Sequence, residues 1–106
     1  MSDPATIRAL NDAFRTNLSG GRILLTPGVQ QQPDLDQLLE LVRRYSAFTE
    51  GNDPYGEHDF GAFDHEGDKY FWKIDYYDQD LTAGSEDPAD PIATTRVLTL
   101  MLASEY

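Results

Sequence analysis

The chain has 106 residues, no cysteine and a formal net charge of −11 at pH 7, from 19 acids against 8 bases. This length fits one domain, 1–106, with one modest core, and 40% hydrophobic and 11% aromatic residues make it globular rather than disordered. The missing cysteines exclude a disulfide framework and a thiolate metal site, and the charge argues against nucleic acid or an anionic membrane as a direct partner.

The opening MSDPATIRAL lacks the basic start and apolar run of a leader. No stretch reaches the ~18–20 apolar residues of a membrane span. A cytoplasmic protein is expected. Asp3-Pro4 reads as an N-cap with proline at the first helical position. Ile7, Leu10, Phe14 and Leu18 then recur at helical spacing as one apolar stripe, and Ser19-Gly20-Gly21 ends the helix. Arg22 to Thr26 reads as a short buried strand stopped by Pro27-Gly28. Asp34 is a candidate N-cap for a second helix with Leu35, Leu38, Leu39, Val42 and Tyr45 on one face.

A loop containing NDP and YG leads to two aromatic runs, HDFGAFD and KYFWKIDYY, around His65-Glu66-Gly67. Taken as a three-residue turn with glycine last, this hairpin sets Phe60 and Ala62 on one face with Tyr70, Trp72 and Ile74. Glu57, Asp59, Lys73 and Asp75 then share the other face with Phe63 and Phe71. Asp78 to Pro91 is polar loop. Asp90-Pro91 repeats the N-cap signature, so Ile92 to Leu102 reads as a third helix, although Val97–Leu102 also suits a strand. The expected fold is α+β: three helices packed on a small three-stranded sheet containing a β-hairpin, in the order α-β-α-β-β-α.

The acids are segregated. Between Glu50 and Asp90 two lysines face thirteen acids, which accounts for the whole −11, while the flanks balance six acids with six arginines. Glu57, His58 and Asp59 are a candidate metal site, because carboxylate and imidazole suit a divalent first-row metal. On a strand, however, His58 points opposite to its neighbours. Asp59 with Asp75 is a candidate carboxylate pair for acid–base work, but nothing in the spacing selects two carboxylates among so many. GRILLTPG is no phosphate loop, and no GxSxG elbow exists. Tyr70, Phe71, Trp72, Tyr76 and Tyr77 resemble a base-stacking platform only in composition, because their neighbours are acidic.

Asn11-Asp12, GGRILLTPGV (20–29), FTEGNDPYGEHDFGAF (48–63), FWKIDYYD (71–78) and the tail DPADPIATTRVLTLMLASEY (87–106) carry a likeness to a known family. The chain resembles small proteins of proteobacterial plasmids and other mobile elements, catalogued as a domain of unknown function. The resemblance implies no activity or catalytic residues. It implies a genomic setting in which anti-defence proteins, such as inhibitors of restriction and CRISPR systems, are common.

The expectation is therefore a non-enzymatic acidic interaction module, a nucleic-acid mimic docking on a basic, nucleic-acid-binding protein surface, with no cofactor. Its contact residues would be Asp53, Glu57, Asp59, Asp75, Tyr77, Asp78 and Asp80. The alternative is a small metal-dependent or carboxylate enzyme centred on Glu57, His58 and Asp59.

Overall fold

The computed structural model describes residues 3–106; Met1 and Ser2, which open the segment read for a leader, lie outside the described residues. Helix α1 (Pro4–Asn17) starts as its sequence dictates. The Asp3 carboxylate accepts from Ala5 N at 3.1 Å and from Thr6 Oγ1 at 3.1 Å, and Pro4 occupies the first turn. Its buried face is Ile7, Asn11, Phe14 and Arg15, rotated from the expected leucine stripe. Leu10 and Leu18 are only partly covered, because two polar side chains find partners inside the molecule. The left-handed C-cap is Leu18 at φ 52°, and Gly20, two residues on, is left-handed at φ 94°.

Strand β1 (Arg22–Leu25) is followed not by a plain stop but by one helical turn, α2 (Pro27–Gln30). Helix α3 (Leu35–Arg43) buries Leu38 and Val42 completely. Asp34 stands at its N-cap position without capping it, because its carboxylate bonds His65 Nε2 instead.

The hairpin of β2 (Phe60–His65) and β3 (Asp68–Tyr77) corrects the expected register. His65 pairs with Asp68 across a two-residue turn, Glu66 at φ 52° and Gly67 at φ 84°. Two consecutive positive φ values define the primed hairpin turn that matches strand twist. Gly61 and Phe63 thus oppose Trp72 and Tyr70 on the core face, while Phe60 and Ala62 oppose Lys73 and Phe71 on the other. The three-residue register looked better because it offered larger apolar side chains to the core. The real constraint is volume, since the Trp72 indole occupies the space above Gly61.

The second correction concerns the C-terminal segment. Thr95–Leu102 is strand β4, not a helix, and it ends in a short 3-10 turn, Ala103–Glu105. Asp90 does accept from Ile92 N at 2.9 Å, but in a local turn rather than at a helix start. Val97, Leu98, Leu100 and Met101 are all buried, so β4 reads as an apolar run, the pattern of a strand in the interior of a sheet.

The sheet is therefore four-stranded and mixed, in the order β1-β4-β3-β2, rather than three-stranded. β1 runs parallel to β4, and β4 and β2 run antiparallel to β3. Three helices lie on it, and one core forms between them and one sheet face: Phe14, Val29, Leu38, Val42, Tyr70, Trp72, Ile74, Leu98 and Leu100. The opposite face carries Arg22, Leu24, Phe71, Lys73, Asp75, Tyr77, Val97, Thr99 and Met101, by the alternation of the paired strands.

Candidate functional site

The segment NDPYGEHDFG is held by side-chain bonds along its length. Asn52 Oδ1 accepts from Thr49 N at 2.8 Å, and Asn52 Nδ2 donates to Ala47 O at 3.0 Å. Gly56 is left-handed at φ 68°, and its carbonyl accepts from Arg8 at 3.1 Å. Asp53, with a side chain only 7% exposed, accepts from His58 N at 3.1 Å.

His58 is the pivot of the first cluster. Its ring stacks on Phe48 at 3.7 Å between centroids with 2° between planes. Nδ1 meets Asp12 Oδ1 at 2.9 Å, and Nε2 faces Asp53 Oδ2 at 3.6 Å. Asp12 also accepts from Arg15 at 3.2 Å. The Arg15 guanidinium is buried and donates to the carbonyls of Val42, Arg43 and Tyr45 at 2.9, 3.1 and 3.0 Å. It thus caps the C-terminal end of α3, where the dipole favours a cation.

The second cluster centres on Asn11, which is completely buried. Arginine can only donate, so Asn11 Oδ1 faces Arg96 Nε, at 2.7 Å. Asn11 Nδ2 donates to Glu57 O at 2.9 Å and to the Tyr76 hydroxyl at 2.8 Å. Tyr76 in turn donates to Glu57 Oε1 at 2.9 Å. Arg96 lies over the Tyr76 ring at 5.2 Å and also donates to Pro88 O. Burial pushes the Tyr76 hydroxyl pKa up, and pushes that of Arg96 down. Both clusters tie α1 to its surroundings, the second to the sheet and to the loop before β2, although in the first the buried Nε of Arg15 has no hydrogen-bond partner.

The alternative metal centre does not assemble. Glu57 turns to Tyr76 and His58 turns to Asp12, and among the described residues no group of three His, Cys, Asp or Glu side chains converges as a metal would need. Asp59 is half-buried, and its pKa is raised, first by burial and then by Glu57, with Asp53 and Asp75 adding to it.

The expected contact residues occupy the loop before β2, the end of β3 and the turn after it. The Asp59 backbone carbonyl accepts from Ile74 N at 2.8 Å, so Asp53, Glu57 and Asp59 lie near the end of β3 that carries Asp75, Tyr77 and Asp78, but the pairing with Ile74 sets Asp59 on the helix-covered face rather than, as expected, on the face of Asp75. Their roles differ. Asp53 and Glu57 are engaged in the clusters above. Asp75 pairs with Lys73 at 3.0 Å on the uncovered sheet face. Asp78 accepts from Thr82 N at 3.0 Å and Thr82 Oγ1 at 3.2 Å, which holds its carboxyl below the usual carboxylate range. Asp80 is exposed in the same turn. The acids of the hairpin tip, Asp64, Glu66 and Asp68, sit at the far end of β3, roughly 30 Å from Asp78 along a strand of this length. That separation exceeds the ~8–10 Å screening length, so the tip and the Asp75–Asp80 end act as separate charges.

The uncovered face is concave. A hollow of about 700 Å³ is floored by Val97, Thr99 and Met101 and walled by Arg22, Leu24, Lys73, Asp75, Tyr77, Leu81 and Tyr106. Leu81, left-handed at φ 60°, comes from the turn that Asp78 closes. Glu105 holds the opposite rim by accepting from Thr26 Oγ1 at 2.6 Å and Gly28 N at 2.9 Å. The hollow escapes a sequence reading that takes 92–102 as a helix, because β4 is its floor. Asn11 and Arg15, polar within an apolar stripe, were the available signal for the buried networks.

The family described as "Protein of unknown function (DUF3768)" matches residues 25–105. No curated protein and no solved structure matches the chain.

Proposed function

The chain belongs to the DUF3768 family of proteins of unknown function, and we propose that it is a non-enzymatic acidic interaction module that docks its uncovered sheet face on a basic protein surface. The observation that carries this reading is the hollow itself: an apolar floor whose rim sets Asp75 and Glu105 beside Arg22 and Lys73, in a chain of net charge −11. An apolar centre with a polar rim is the anatomy of a protein interface. Tyr77 and Tyr106 supply the aromatic type that anchors such contacts. A second copy is the poorer occupant, because two such chains repel.

The partner we favour is a cytoplasmic nucleic-acid-binding protein, whose lysines and arginines, arranged for phosphates, would meet these carboxylates instead. Inhibition of a defence nuclease in the manner of a nucleic-acid mimic follows from that choice and from the mobile-element setting that the sequence likeness implies. The acids of the turn after β3, Asp78 and Asp80, and those of the hairpin tip would steer association, giving fast, salt-sensitive binding.

The test is capture of partners with the wild type and with a Leu24→Ser, Tyr77→Ala double variant, followed by titration of the identified partner across ionic strength. The expected result is a basic partner that the variant loses and whose affinity falls as salt rises. A partner held equally by the variant, or with salt-independent affinity, overturns the reading.

A further inference from the structure

The strand order leaves β2 at an edge of the sheet. Its register fixes which backbone groups are free. His65 pairs with Asp68 across the two-residue turn, and Ile74 N donates to Asp59 O at 2.8 Å. In an antiparallel ladder, directly bonded pairs alternate with unbonded ones, so residues 59, 61, 63 and 65 spend their N–H and C=O groups on β3. Phe60, Ala62 and Asp64 point theirs away from the sheet, and among the described residues no loop bonds to them. Natural sheets usually blunt such an edge with proline, lysine or a bulge. FGAFDH has none of these, carries its one carboxylate at Asp64, which Lys69 meets at 3.4 Å, and pairs without interruption.

We propose that β2 is a docking strand, which adds an extended basic segment of the partner to the sheet by main-chain hydrogen bonds at Phe60, Ala62 and Asp64. This inference rests on the reading of the protein as an acidic interaction module and names how the partner is held. The side chains of these three residues face the same side as the hollow, so an added strand extends that surface rather than forming a separate one. Charge selects the occupant. Asp64 and Glu66 lie at one end of the edge, and Glu57 and Asp59 lie before the other. Residues on alternate positions of an added strand repeat at about 6.6–6.8 Å, which suits lysines or arginines spaced along it. A second copy fits worse. Antiparallel self-pairing centred on Ala62 carries Asp64 and Glu66 of each copy to the end that holds Glu57 and Asp59 of the other, so like charges meet twice by symmetry.

The probe is a short peptide alternating lysine and valine, compared with a serine–valine peptide of equal length and with the lysine peptide N-methylated along its backbone. Amide exchange is read residue by residue on the full chain. Saturable binding of the lysine peptide is expected, slowing exchange at Phe60, Ala62 and Asp64 about tenfold or more, with little change at Gly61 and Phe63. Ala62→Pro removes an outward donor without touching a bond to β3, a place where edge strands accept proline, and weakens binding about tenfold. The N-methylated peptide shows the same loss without any change to the protein. Failure of the lysine peptide to bind, binding that leaves the edge amides unprotected, equal binding of the N-methylated peptide, or a dimer in which those amides are already protected overturns the proposal. Salt-sensitive capture of a basic partner that Ala62→Pro leaves unchanged sinks the docking strand but not the interaction module; a salt-insensitive or non-basic partner sinks the module itself.

Discussion

Gly61 lies directly beneath the indole of Trp72: a Cβ on Gly61 would stand 2.3 Å from Nε1 and 2.6 Å from Cε2. Trp72 is completely buried and packs edge-on against Tyr45 at 5.5 Å and Phe48 at 6.1 Å, so the ring has no room to retreat. Gly61→Ala should therefore cost about 1–3 kcal/mol, the usual penalty for overfilling a packed core. Urea unfolding checks it, as a lower midpoint with an unchanged slope. A cycle with Trp72→Phe should show strong coupling between the two positions, because the smaller ring relieves the clash.

The buried network makes a different demand. Asn11→Ala strands the Arg96 Nε donor and removes the donor to the Tyr76 hydroxyl in one step. Leaving a buried charged group without its acceptor costs more than the loss of an ordinary hydrogen bond, so about 2–4 kcal/mol is expected. Asn11→Leu should be no better despite restored volume. Tyr76→Phe, which removes one donor from Glu57 and one acceptor from Asn11, should cost about 1 kcal/mol. Denaturant midpoints of the three variants rank these losses, and an Asn11→Leu protein as stable as the wild type would show the network to be dispensable.

How much of this was legible in the sequence depends on the kind of signal. The start of α1, the existence of strand β1 and of the hairpin, and helix α3 all follow from local rules, but β1, expected to be buried, lies at a sheet edge with Leu24 exposed. The register does not follow, because apolar pattern rewards large side chains on the core face and cannot see that Trp72 needs a vacancy opposite. The strand at Thr95–Leu102 was hidden by Asp90-Pro91, a signature shared by helix starts and local turns. Only the pairing of β4 between β1 and β3 decides between them. Of the expected contact residues, Asp53 and Glu57 are structural partners of His58 and Tyr76. Sequence counts carboxylates and does not see what they bond.

The turn offers a gain rather than a loss. Glu66 holds a left-handed conformation at φ 52°, which costs a residue with an ordinary side chain and suits asparagine. Glu66→Asn makes the Asn-Gly pair that this turn type prefers. The variant should be about 0.5–1 kcal/mol more stable, read as a higher urea midpoint. Removing the negative charge at the tip adds to the same direction, so Glu66→Gln is the control, and its gain should be the smaller of the two.

Two carboxylates should move stability with pH in opposite directions. Asp59 has its pKa raised above the ordinary 3.8, chiefly by burial and then by Glu57. The folded state then binds more protons than the unfolded state between 3.8 and the raised value, so stability from this group falls as pH climbs through that window. Asp59→Asn should be more stable than the wild type above the window, with the gap closing below pH 3.8. Glu105 is the reverse. Its pKa is lowered below the ordinary 4.5 by the Thr26 hydroxyl and the Gly28 amide. Its contribution is present above pH 4.5 and disappears as pH falls through the depressed value. Glu105→Gln should be the less stable protein at neutral pH and converge on the wild type in acid. Stability measured against pH for the three proteins gives two difference curves of opposite sign. Curves of the same sign would mean that one of these carboxylates does not sit in the environment described, and exchange at the Gly28 amide, faster in Glu105→Gln if the latch holds, identifies which.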